Sequence, residues 1–421
     1  MTDADARRAA RRIVRAAALG AVCAAVSGCA TPSPLPAEAY YRYDFIAARE
    51  ELRPLVEKVD NDLLLNELRL GMAGLADGNV NETEAALSRV FDLLSTAGLN
   101  KDRTAAAALV YEGVRIWKGE PFEQALAYYW VAAHYASRGD WENARAAAAN
   151  ALFRLTDFGA DMTAEKVARK AATDESYLDQ GYTAVDSNFA LGFLMQAIGA
   201  DLTGAGGAKE QFDAALKIDP NLGPVVDALR SRRFDTLLIV DYGRGPQKIA
   251  YGPDNALTKF VSRERSKGAL RVTAGGEVLG ELPVVCDVEQ MAYDLRWNNL
   301  EDIRRAKSAI GDVLTIGGGT AAVIGGAQNS DAALIAGLGA VAMGLLLKAS
   351  AQADVRYLDF APSSIYLVPI RLNAPMDIEL AVVGAPSARV VLPAFQPGTE
   401  RAPRTVYLRL FGTGSPAPEW L

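Results

Sequence analysis

The chain has 421 residues, half of them apolar, with one His, three Cys and a formal charge of -7. That length allows two or three domains with large cores, and the acidic balance argues against nucleic acid or an anionic surface as partner. A single His excludes His-rich metal sites and leaves a Ser-His-Asp triad possible only through His134. No Ser lies in a Gly-x-Ser-x-Gly elbow, so neither an enzyme nor a cofactor-binding protein is expected.

Residues 1–28 have the three parts of an export signal. Arg7, Arg8, Arg11, Arg12 and Arg15 form the basic part, and Ala16 to Val26 the apolar part. The latter is shorter than the roughly 20 apolar residues of a membrane span. Val26-Ser27-Gly28-Cys29 follows and resembles the bacterial lipobox, which predicts lipidation of Cys29 as the new first residue. Ala30 in second place implies the outer membrane, with the folded part facing the periplasm. Loss of residues 1–28 removes five Arg and two Asp, a balance of +3, and leaves about 390 residues at -10. Cys23 departs with the signal, so Cys286 is left without a disulfide partner and reads as a small buried hydrophobe. Residues 29–36, with Pro32, Pro34 and Pro36, predict an extended tether at about 3 Å per residue.

Residues 37–232 are rich in Ala and Leu at helical spacing, and several stretches match the spacing of tetratricopeptide repeats. In the best of these, Tyr128, Ala132 and Tyr135 line one helix, Gly139-Asp140 turns, and Trp141, Ala144, Ala148 and Ala151 line the next. A second runs through Ala208, Phe212 and Ala215 to Pro220, and a looser one spans 70–94. The expected domain is an α-helical solenoid whose concave face takes a protein or peptide. Tyr129 and Trp130 adjoin the packing residue Tyr128 and are candidate partner contacts, with burial in the core as the other reading. Lys118-Gly119-Glu120-Pro121-Phe122-Glu123 precedes this helix. Glu120 can cap a helix that starts at Pro121, Glu123 suits its positive end, and Phe122 can pack inward. Glu120 and Phe122 are also candidate partner contacts.

This string, followed by Tyr128-Tyr129, resembles a motif in a family of bacterial outer-membrane lipoproteins with tetratricopeptide-like helices. Ala353-Asp354-Val355-Arg356-Tyr357, followed by Pro362, is similar to a second motif of that family. Tyr357 stands where the family has Trp, and Ala361-Pro362 where it has Leu-Pro. Some members are encoded near activators of peptidoglycan synthases, so the resemblance implies an envelope protein, with a role in wall synthesis as an alternative to scaffolding.

Residues 233–411 change to a strand pattern, ahead of a short tail at 412–421. Thr236 to Val240, a hairpin from Leu270 to Val285 turning at 274–277, and strands near 364–372, 377–383, 388–392 and 405–411 predict a β-sandwich-like domain. The fold class is thus α+β, and residues 287–352 interrupt the strands as a helical insertion. Within it, Val313 to Gly326 and Ala332 to Leu347 are apolar runs with Gly318, Ala322, Gly326, Ala336, Ala340 and Gly344 at four-residue spacing. Such spacing allows close helix pairing, as in membrane helices. Gly318, Gly326, Gly337, Ala340 and Gly344 are therefore candidate oligomer or membrane contacts, with a buried hairpin as the other reading.

Overall fold

The computed structural model describes residues 34–96, 117, 119–155, 187–251, 257–263, 268–293 and 354–412. Cys29 and the Gly-spaced residues Gly318, Gly326, Gly337, Ala340 and Gly344 lie outside them.

The protein mixes α and β structure. The first half supplies α1 (Pro34–Tyr41), α2 (Phe45–Val56), α3 (Leu63–Ala76), α4 (Val80–Thr96), α5 (Pro121–Ser137) and α6 (Trp141–Arg154). It continues with α7 (Ala190–Thr203), α8 (Ala208–Ile218) and α9 (Gly223–Arg230). Several successive helices pack in pairs across short turns, including α1 with α2, α3 with α4, α5 with α6 and α7 with α8. Between α5 and α6, Gly139 takes φ +76°, which glycine adopts without a steric penalty. Asp140 then caps α6 by accepting the Asn143 N–H at 3.1 Å. Small residues set how closely helices approach. A Cβ at Gly71 of α3 would lie 2.5 Å from the Leu87 side chain of α4.

The expected tether at 29–36 is shorter than read from its prolines. Pro34 opens α1 and Pro36 is buried. First-turn residues have no intrahelical acceptor for their N–H groups, so prolines there lose no hydrogen bond.

The second half gives β1 (Thr236–Tyr242), β2 (Gln247–Tyr251), β3 (Leu257–Val261), β4 (Leu270–Ala274), β5 (Glu277–Leu282) and β6 (Cys286–Asp287). After α10 (Val288–Tyr293) come β7 (Ser364–Ile370), β8 (Met376–Val382), β9 (Arg389–Phe395) and β10 (Arg404–Leu410). One sheet has the order β10-β1-β7-β6, with β10 parallel to β1 and the other pairs antiparallel. A second has the order β5-β4-β8-β9, and β2 pairs with β3 separately. The expected hairpin at 270–285 turns through Gly275 and Gly276, both at positive φ, as tight hairpins require. The β2–β3 pair was not expected, since its strands are short and only partly buried.

Alternation along the strands of the first sheet splits its side chains between two cores. Leu238, Val240, Tyr366, Val368, Val406 and Leu408 meet Val272, Leu380 and Leu392 of the second sheet. Leu237, Ile239, Ile365, Leu367 and Tyr407 face the helices and join the core containing Leu68, Trp130 and Leu194. The expected boundary at 232/233 therefore does not separate two cores. Both outer strands of the second sheet are irregular: β5 bulges near Leu279, and β9 carries Pro393 with Ala394 at φ +45°. Such breaks discourage edge-to-edge pairing.

Candidate functional site

Two groups of polar side chains join distant segments, one where the helices meet the first sheet and one where the helices meet residues 354–360 and the β2–β3 pair. Asp241 is the center of one. It sits on β1, fully buried, at the position after the apolar run 236–240. It accepts hydrogen bonds from Tyr129 Oη at 2.7 Å, Trp130 Nε1 at 2.9 Å and Tyr407 Oη at 2.7 Å. Burial raises the Asp241 carboxyl, opposed by the charge of Arg409 and by these three donors. Burial, joined by the Asp241 charge, also holds the Tyr129 and Tyr407 hydroxyls well above their ordinary range. Arg409 is buried too, donating to the Asp241 and Leu410 carbonyls at 3.0 and 2.9 Å and to Tyr40 Oη at 3.1 Å. The expectation that Tyr129 and Trp130 reach an open concave face is thereby corrected. They are 1 % and 0 % exposed, and their polar atoms are engaged by the sheet. Helical spacing places them on a face but does not identify what covers it.

The second group unites the two strings that carry the family resemblance. Glu120 precedes Pro121 at the start of α5, and the Glu123 carboxylate accepts the Glu120 N–H at 2.7 Å. Its other oxygen accepts the Leu358 N–H, also at 2.7 Å. Trp117 Nε1 donates to the Arg356 carbonyl, while Arg356 reaches the Asn61 carbonyl and Asp62, each at 3.0 Å, and pairs with Asp354. Arg69 of α3 pairs with Asp359 at 2.8 Å, Tyr41 Oη donates to the Asp359 carbonyl, and Phe360 stacks on Tyr40 at 4.0 Å. Residues 354–360 thus run as a strap held by α1, α3, the start of α5 and the 57–62 connection. Glu120 pairs with Lys248 of β2 at 2.6 Å, and Phe122 is buried edge-on against Phe260 of β3 at 5.0 Å. Burial pushes Glu123 up to about 7, opposed by Lys248 and by the two backbone N–H groups.

Comparison with protein-family models, with curated proteins and with solved structures finds no match to this chain.

Chemically, the Asp241 carboxylate gathers three aromatic donors and the Glu123 carboxylate two backbone N–H groups, an arrangement that fastens segments together. His134 is buried with Nε2 2.7 Å from Glu84, which also meets Arg138. Among the described residues no group of three or more His, Cys, Asp or Glu is placed to hold a metal ion.

Cys286 is buried beside Met291, and burial raises its thiol well above the usual range. The folded protein should therefore resist maleimide at Cys286 and react on denaturation, as intact mass would report. Fast labelling of the folded protein would contradict this placement.

Glu67 of α3 is fully buried beside the half-exposed Arg89 at 2.8 Å. Burial lifts its carboxyl to about 7 against the pull of Arg89. A carboxyl raised in the folded state binds protons more readily there than in the unfolded chain. Its stabilising contribution is thus present below about 4.5 and lost as pH rises through about 7. Glu67→Gln should flatten the decline in stability between pH 5 and 8 and gain on the order of 1 kcal/mol at pH 8, discounted for solvent around Arg89. Parallel pH profiles for both proteins, from urea unfolding, would contradict it.

Proposed function

We propose that the protein is an outer-membrane lipoprotein, anchored through Cys29, that acts as an envelope scaffold for a protein or peptide partner. The observation that carries this reading is the position of α1. A helix packed into the core starts at Pro34, five residues after Cys29, the expected first residue of the mature chain. We read the helical layer as tetratricopeptide-like hairpins and the two four-stranded sheets, which share a core, as a β-sandwich. The polar groups at Asp241 and Glu123 support a scaffold in which both parts move together. A partner surface is then sought on exposed residues, and not at Tyr129, Trp130 or Phe122.

Affinity purification from membranes, comparing the wild type with Cys29→Ala, tests this. Wild type should fractionate with membranes and bring down a reproducible partner, while Cys29→Ala should leave the membrane fraction. The same fractionation for both would overturn the anchor, and wild type without any enriched partner would overturn the scaffold.

A further inference from the structure

Three segments meet beside Tyr41: the turn after β1, the residues that follow β3, and the strap at 357–359. Gly245 fixes the first. Its N–H donates to the Ala361 carbonyl at 2.7 Å, and a Cβ there would lie 2.7 Å from the Pro362 carbonyl oxygen. The same turn lays Arg244 over the Tyr41 ring at 4.2 Å. Arg263, from the second segment, reaches both others. Its Nε donates to the Gly245 carbonyl at 2.6 Å and its Nη2 to the Asp359 carbonyl at 3.0 Å. The guanidinium carbon lies 5.8 Å from the Tyr41 ring centroid and 5.6 Å from that of Tyr357, within range of the ring faces.

This arrangement leaves charge and donors over. Backbone carbonyls take up Nε and Nη2 of Arg263, and among the described residues no carboxylate pairs with it. Arg356, by contrast, is paired with Asp62 and Asp354. Tyr357 is half-buried, and among the described residues its hydroxyl has no hydrogen-bond partner. Arg69 pairs with Asp359 through Nε, while its Nη2 is buried without a partner. The charges that act most strongly on the Tyr41 and Tyr357 hydroxyls are those of Arg69, Arg244, Arg263 and Arg409, against one acid, Asp359. In a chain of formal charge -7 this is a local excess of positive charge.

We propose that Arg263 and Tyr357 bind a carboxylate from outside the chain, with Arg263 Nη1 and the Tyr357 hydroxyl donating to its two oxygens and Arg69 adding positive charge nearby. The bonds of Nε and Nη2 hold the guanidinium in place before any ligand arrives. Two donors match the two oxygens of a carboxylate, and the Tyr41 and Tyr357 rings favour an aromatic or apolar group beside it. The site stands independently of the lipid anchor and of the scaffold.

The test titrates the purified full chain with N-acetylphenylalanine and with its uncharged amide, at constant ionic strength, and follows binding by saturation-transfer NMR. The acid should bind about tenfold more tightly than the amide, because the charge-assisted bonds to Arg263 need the carboxylate. Arg263→Gln should abolish that preference, although it also loosens the strap. Tyr357→Phe separates the two effects. Its hydroxyl holds nothing within the protein, so the urea midpoint should stay unchanged while the acid binds roughly fivefold more weakly. Equal binding of acid and amide, no binding of either, or full affinity in Tyr357→Phe overturns the proposal. A midpoint lowered by Tyr357→Phe would place the hydroxyl in a structural bond and overturn it as well. Tighter binding of inorganic phosphate, lost in Arg263→Gln, would overturn the assignment to a carboxylate.

Discussion

Asp241→Ala should lower stability by about 3–5 kcal/mol, the cost of removing one partner from a buried charged group. The substitution leaves the Tyr129, Trp130 and Tyr407 donors without their acceptor and Arg409 without the nearby carboxylate. Asp241→Asn keeps the shape but turns an amide N–H toward donors, so it should also destabilise, by less. Tyr129→Phe removes one donor and should cost about 1 kcal/mol. Urea unfolding gives each value. Should Asp241→Ala fail to fold, Tyr129→Phe and Tyr407→Phe still report, with a coupling in the double-mutant cycle through their common acceptor. A loss below about 1 kcal/mol for Asp241→Ala would mean that this carboxylate does not join helices to sheet.

Glu123→Ala should cost about 2–4 kcal/mol and release the strap, because it strands the buried Leu358 N–H and the part-buried Glu120 N–H. The local readout is hydrogen exchange. The Leu358 amide should exchange about tenfold faster or more, while amides of β4, in the other core, keep their protection relative to global stability. Unchanged protection at Leu358 would show that the strap is held by Arg69, Tyr41 and Arg356 without Glu123.

The sequence made the local elements legible where local chemistry decides them. Pro121 at the start of α5, the Gly139 turn and the paired glycines at 275–276 each require a particular backbone, and each stands where expected. The strands near 364–411 alternate or run apolar strongly enough to be read within a few residues. Long-range relations were not legible. The run 236–240 looked like an ordinary buried strand, yet its signal lay one residue further, where an acid, Asp241, continues the buried run. An acid in that setting requires donors, and the Tyr129-Trp130 pair could have been considered for the task. The two strings of family resemblance are separated by more than two hundred residues. No periodicity links Glu123 to Leu358, because the bond depends on how the strap crosses the helices. Similarly, the prolines of 32–36 favour an extended chain in isolation, whereas burial of Pro36, Ala39 and Tyr40 brings Pro34 into a helix.

A lipid-anchored scaffold depends most directly on the state of Cys29, and the mass of the amino-terminal peptide from membrane-extracted protein measures it. The predicted result is a chain that begins at Cys29, lacks residues 1–28 and carries the added mass of a diacylglycerol thioether and an amide-linked acyl chain. An unmodified Cys29, or cleavage at another position, would contradict the lipid-anchored scaffold.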